Sequence, residues 1–136
     1  MAEINSIKAG ERTLTIREVK LNWIADENPD LSWLDQTDDE MGEGFEKQSV
    51  GRKESYGQTW EMLGCVARAV VAYPLESNIG TRLQAFTSGG LWEIESDSDE
   101  GYLRAIEDEQ LIELAEHLSH FGISTTAQEL RDIATA

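Results

Sequence analysis

Apolar and polar residues alternate from Arg12 to Asp26 in "RTLTIREVKLNWIAD", the period-two signature of a half-buried β-strand. Leu14 and Ile16 hold one phase and Val19, Leu21 and Trp23 the other, so the slip at Arg17–Glu18 predicts a bulge. Asn28-Pro29-Asp30 then turns the chain, and Trp33 and Leu34 form a small apolar island. From Asp35 to Gln58 the sequence is polar, carries glycines and has no clean period. That composition predicts an acidic loop, functional or mobile, with at most a short strand near Phe45 or Tyr56. Periodicity returns at Met62. Nearly every position from Met62 to Tyr73 is apolar, Gly64 and Arg68 excepted, as expected of a central strand covered on both faces. Pro74 ends it, "PLESNIGT" reads as a hairpin connection, and "RLQAFTS" is the returning strand. Gly89-Gly90 breaks that strand, leaving Leu91, Trp92 and Ile94 to continue or re-enter the sheet.

The period changes in the last third. Leu111, Leu114, Ala115, Leu118 and Phe121 recur at spacings of three and four, and Gly122 is placed as a C-terminal stop. Extending that helix back to Asp99 would put Glu107 and Gln110 on its apolar face. The pattern therefore predicts a break near Glu107–Asp108, with one short helix followed by a longer one. Thr126, three residues before Glu129, has the spacing of a capping box and should open a closing helix on Leu130, Ile133 and Ala134. These elements predict one α+β domain spanning residues 1–136, with an antiparallel sheet of three to five strands and C-terminal helices packed on one face.

Charge alters this picture more than any other bulk property. The chain of 136 residues carries a formal charge of −16, from 27 acids against 11 bases. The excess is blocked rather than spread. Nine acids and no Lys or Arg lie between Asp26 and Glu46, and ten acids with only Arg104 lie between Glu93 and Glu116. Each block carries −9, and the remainder of the chain comes to +2. Phosphates would be repelled, which argues against direct binding of nucleic acid and favours a basic partner, or no partner. Adaptation to high salt would spread the charge over the whole surface.

Little else in the sequence carries chemistry. Cys65 is the only cysteine, so neither an internal disulfide nor a cysteine-based zinc cage is expected. The first residues lack a basic region followed by an apolar run, and no apolar stretch approaches the ~20 residues of a membrane span. A cytoplasmic location is the expectation. "DSDEG" invites a calcium-loop reading, but starting the loop at Asp97 puts Tyr102 where the glycine belongs, and starting at Glu95 puts Glu100 there. His117 and His120 are three apart without a third ligand, and no serine sits in a G-x-S-x-G elbow. Gly89-Gly90 lacks the phosphate-loop lysine. No catalytic group, metal or cofactor is predicted.

The acids around Ser96–Glu100 suit a helix N-terminus, where Asp97, Ser98 or Asp99 would accept hydrogen bonds from unpaired amides. Glu107, Asp108, Glu109, Glu113 and Glu116 continue the charge along the helix. Five acids over nine steps of ~1.5 Å give roughly one charge per ~3.4 Å, near the charge spacing along one DNA strand. Trp33 and Trp92 border the two acidic blocks, as an aromatic anchor for a basic partner would.

"NPDLSWL" (Asn28–Leu34) and "SGGLWEIESDSDEGY" (Ser88–Tyr102) resemble segments of a group of small acidic proteins scattered through bacterial genomes, plasmids and phages. The likeness extends to "GCVARAVVAYP" and the acidic helix ending at "HFG", about two thirds of the chain, and brings no activity with it. Size, acidity and this mobile-element setting together resemble anti-CRISPR and antirestriction inhibitors, several of which mimic DNA. By that analogy the chain is a non-catalytic inhibitor of a basic, nucleic-acid-binding Cas or restriction complex. Glu95, Asp97, Asp99, Glu107, Asp108, Glu109, Glu113 and Glu116 would enter its cationic channel, and Asp26–Glu46, with Asp38, Asp39 and Glu40, would form a second contact. Two other expectations stand beside it: an immunity protein or antitoxin that neutralises a basic toxin, and a housekeeping adaptor that binds a protein through Trp33 or Trp92.

Overall fold

The computed structural model describes residues 6–9, 12–75 and 80–136. Its sheet is built on two long strands, β2 (Arg12–Ala25) and β3 (Met62–Pro74), paired antiparallel from Thr15 opposite Ala72 to Ala25 opposite Leu63. A short β1 (Ser6–Ala9) pairs with the start of β2. With β2 along one edge of β3, the other edge is shared end to end by β4 (Thr81–Thr87) and β5 (Leu91–Glu95). Five strands thus make a sheet four strands wide, all antiparallel. The slip foreseen in β2 is real. Ile16 faces Val71 and Glu18 faces Val70, so Arg17 is the extra residue of a bulge. It lets Leu14 and Ile16 point to the same side as Val19, and all three are buried.

Helices α3 (Glu100–His120) and α4 (Ala127–Thr135) cover that side. Leu14, Ile16, Val19, Ala67, Ala69, Val71 and Phe86 from the strands meet Leu111, Leu114, Leu118, Ile123 and Leu130 in one core. Burying each of the large aliphatic side chains contributes about 1.5–3 kcal/mol. The fold is α+β, an antiparallel sheet with its C-terminal helices packed on the strands. Gly122, at φ 78, takes the left-handed position after α3, where the Gly122 and Ile123 amides return to the Ser119 and Leu118 carbonyls. Thr126 Oγ1 accepts the Glu129 amide at 3.1 Å, as the capping spacing foretold.

Two expectations are overturned. The break at Glu107–Asp108 does not exist, because α3 is one helix of 21 residues. The polar residues that seemed misplaced on its buried side have partners there. Glu107 Oε2 accepts the Trp23 indole N–H at 2.9 Å, and Gln110 Oε1 accepts the Gly90 amide at 3.0 Å. The stretch 35–58 is not a loop. It holds a 3-10 turn (Ser32–Asp35) at its entrance, then α1 (Asp38–Met41) and α2 (Phe45–Glu54). Only Ser49 of α2 is buried, so this helix buries no apolar stripe that a periodic pattern would reveal. Its cover is a small second core of Leu34, Trp60 and Met62, with Leu31 and Tyr56 against it. Met62 lies on the side of β3 away from α3, so this polar module caps one end of the sheet's second face.

Candidate partner-binding surface

The stretch from Ser88 to Ser98 is consumed almost entirely by structure. Ser88 Oγ accepts the Ala67 amide at 2.9 Å, and the Ser88 amide returns to the Ala67 carbonyl at 2.9 Å. This exchange holds the chain against β3 while it crosses from β4 to β5. The next two amides point to α3, where Gly89 N–H donates to Glu113 Oε1 at 2.6 Å and Gly90 N–H donates to Gln110 Oε1. Gly90 has φ 86, and a Cβ there would sit 2.9 Å from Val66 Cγ2. β5 then carries a bulge, since Leu91 faces Cys65 and Ile94 faces Leu63, three steps against two. Glu93, at φ 63, falls within it. The bulge lays the Trp92 indole flat on Gly64, where a Cβ would otherwise be. Trp92 keeps 43% of its surface exposed and shares a shallow cleft with Ile24 and Asp26.

Arg52 of α2 joins the two acidic segments. Its guanidinium lies 3.6 Å from the centre of the Trp60 ring and forks onto Asp97, Nη1 to Oδ2 at 2.7 Å and Nη2 to Oδ1 at 2.8 Å. A further bond runs from Nη2 to Glu95. Trp60 Nε1 in turn donates to the Arg52 carbonyl at 2.8 Å, locking the arginine from both ends. The Asp97 hydrogen bond, seconded by Glu95, raises the Arg52 pKa against the effect of burial. The same bond holds the Asp97 carboxyl below its ordinary range. Next to it, Lys53 pairs with Asp35. Arg52 therefore holds α2 against the start of the second acidic block, while Lys53 ties it back to the first.

The acids singled out from sequence divide into two groups. Glu95 and Asp97 belong to Arg52. Glu107 receives Trp23, and Asp108 Oδ1 takes both Nε and Nη2 of Arg131 at 3.0 and 2.7 Å. That arginine is only 9% exposed and lies 3.6 Å from Glu107 as well. Glu113 holds the Gly89 amide while remaining exposed. Asp38 accepts the Glu46 amide at 2.8 Å, and Glu40 accepts the Thr37 hydroxyl at 3.2 Å. Asp39, Asp99, Glu109 and Glu116 face solvent without a partner among the described residues. Asp99 is the N-cap of α3, but its side chain makes no capping bond, and Asp97 and Ser98 are turned elsewhere. Three outward charges, Glu109, Glu113 and Glu116, span seven steps of ~1.5 Å, sparser than the density estimated from sequence.

Trp33, 37% exposed, lines a cleft of about 290 Å³ with Leu34, Phe45, Ser49, Arg52 and Glu95. The cleft lies between the 3-10 turn and α2, and Glu95 is the carboxylate that lines it. His117 stacks on Phe121 with centroids 5.5 Å apart, and both rings meet Phe86 edge-on. Burial and the nearby Glu107 charge push the Cys65 thiol up to about 11, far from a reactive thiolate. Among the described residues, no group of three or more His, Cys, Asp or Glu is arranged to hold a metal ion, and no helix is long and apolar enough to cross a membrane. Comparison of the chain with protein-family models, curated proteins and solved structures found no match.

Arg52, Arg131 and Gln110 are the residues that sequence reading passed over. Arg52 and Lys53 do carry a signal, as an adjacent pair of cations just after a nine-acid block. Gln110 carries one as a polar residue on the apolar face of its helix, though not the identity of its partner 20 residues away, and Arg131, whose partner lies 23 residues away, carries none.

Proposed function

We propose that this protein is a non-catalytic inhibitor that occupies the cationic nucleic-acid channel of a host-defence complex of the Cas or restriction type. The observation that carries the reading is the Arg52 clamp, which brings the acids of α1 and α2 beside the acidic start of α3. The charges it leaves outward include Asp39, Glu40, Asp99 and Glu100, with Glu109 and Glu116 further along α3. Arg52 and Lys53 are both engaged, which leaves Lys47 of α2 and Arg104 of α3 as the exposed cations among these acids. Exposed carboxylates of this kind steer association and are screened beyond about 8–10 Å at physiological salt, which makes the on-rate salt-sensitive.

A second reading is favoured by the Trp33 cleft and by the internal engagement of five of the eight candidate acids between Glu95 and Glu116. Here an antitoxin or adaptor anchors a basic protein through Trp33, and the acids add solubility. A tagged pull-down from nuclease-treated bacterial lysate, washed at low and then high salt, separates the two. The inhibitor reading expects a nucleic-acid-binding complex that elutes with salt and is lost when Asp39, Asp99, Glu109 and Glu116 become lysine. Capture that resists salt and disappears only in Trp33→Ala contradicts it and supports the anchor.

A further inference from the structure

The second face of the sheet presents a mismatch between sequence and cover. β3 is apolar on both faces, yet among the described residues helices cover only one, and the α1–α2 module reaches only the Met62 end of the other. Antiparallel sheets with one solvated face normally alternate apolar with polar residues. Here the strand pairings place Ile24, Val66, Val70, Leu83 and Ala85 together on the open side, with Trp92 at one end. Ile24 is 44% exposed and Leu83 56%.

We infer that this face is the contact surface of a homodimer, in which two copies stack sheet on sheet. Charge selects the occupant. In a chain of −16, the pairings put only Glu18 among the acids on the open face of β2, β3 and β4, with Lys20 and Arg68 as its cations. Lys20 and Glu18 are 2.9 Å apart on one strand, so the face offers both signs to its own copy. Like-charged molecules of this kind can meet only where their acids are absent, and the acids of α3 and α4 lie behind the sheet. The face is self-complementary in the way a two-fold contact requires. Three strands at ~4.8 Å by the span of Gly64–Ala72 give a flat face of roughly 380 Å², before side-chain relief, about half the ~800 Å² per partner of a standard interface and of the size of a weak contact.

The contact is independent of the inhibitor reading and has the opposite salt response. Repulsion between two −16 chains is screened by salt, so dimerisation strengthens as salt rises, whereas capture of a basic partner weakens. Sedimentation equilibrium of the whole chain at 50 and 500 mM salt tests it, reading the dimer dissociation constant. The double variant Leu83→Lys/Ala85→Lys should raise that constant at least tenfold. Both positions are exposed on an edge strand, so the fold should persist, and circular dichroism checks this. Ile112→Lys, exposed on the outer side of α3, should leave it unchanged. A chain still monomeric at about 1 mM overturns the inference. So does a dimer that the double variant leaves intact. Binding of a different protein to this face by an otherwise monomeric chain counts against it as well.

Discussion

Gly64 and Trp92 share one space, since the indole occupies the position of the missing Cβ. Trp92 was expected as an anchor for a partner, and part of its ring is instead spent on β3. Gly64→Ala must displace that ring, with a cost of about 1–3 kcal/mol as for other overpacked sites, read as a lower urea midpoint and an altered tryptophan emission. An unchanged midpoint would mean that the indole does not rest there. Asp97 makes a second residue-scale prediction. A carboxyl whose folded pKa is depressed stabilises the fold above its unfolded value, ordinarily 3.8, and loses that contribution as pH falls through the folded value. Wild type should therefore exceed Asp97→Asn in stability above about pH 5, and the gap should close below pH 3.8. A gap constant across acid titration would rule out the ionised clamp.

At the scale of elements, the features legible in the sequence are those whose cause is local. The bulge at Arg17, the Thr126 cap, the Gly122 stop and the re-entry after Gly89-Gly90 each follow from residues within one turn or one strand. What escaped depends on distant partners. α2 buries almost nothing of its own, and its place is set by Arg52 reaching a carboxylate 45 residues away. α3 runs through Glu107 because Trp23, 84 residues earlier, satisfies the carboxylate. Spacing along the chain holds no record of either bond. Arg52→Met should free α2 from the sheet end at a cost of about 1–2 kcal/mol, modest because solvent screens half-exposed carboxylates. Limited proteolysis should then cut within 43–58 well before the core opens. Cleavage no faster than in wild type would mean that Trp60, Leu34 and Met62 hold the module unaided. Gln110→Leu removes the acceptor of a half-buried amide and should cost about 1–3 kcal/mol in thermal or urea unfolding.

Across the whole molecule, charge is arranged in three regions. The helical cover and the α1–α2 module carry most of the outward acids, the core is apolar, and the open face of β2, β3 and β4 is nearly neutral. The blocks of acid were plain in the sequence, and their function was not, because sequence counts charges without saying which are already engaged. Of the eight acids expected from Glu95 to Glu116, the structure leaves Asp99, Glu109 and Glu116 wholly outward. The inhibitor account therefore rests more on the surface joined by Arg52 than on α3 alone. Its most direct test is competition between this protein and duplex DNA for the captured partner, followed by anisotropy of labelled DNA as protein is added. The account predicts stoichiometric release of the DNA, weakened by added salt and abolished by lysines at Asp39, Asp99, Glu109 and Glu116. Partner and DNA bound together, with anisotropy unchanged at saturating protein, would contradict it.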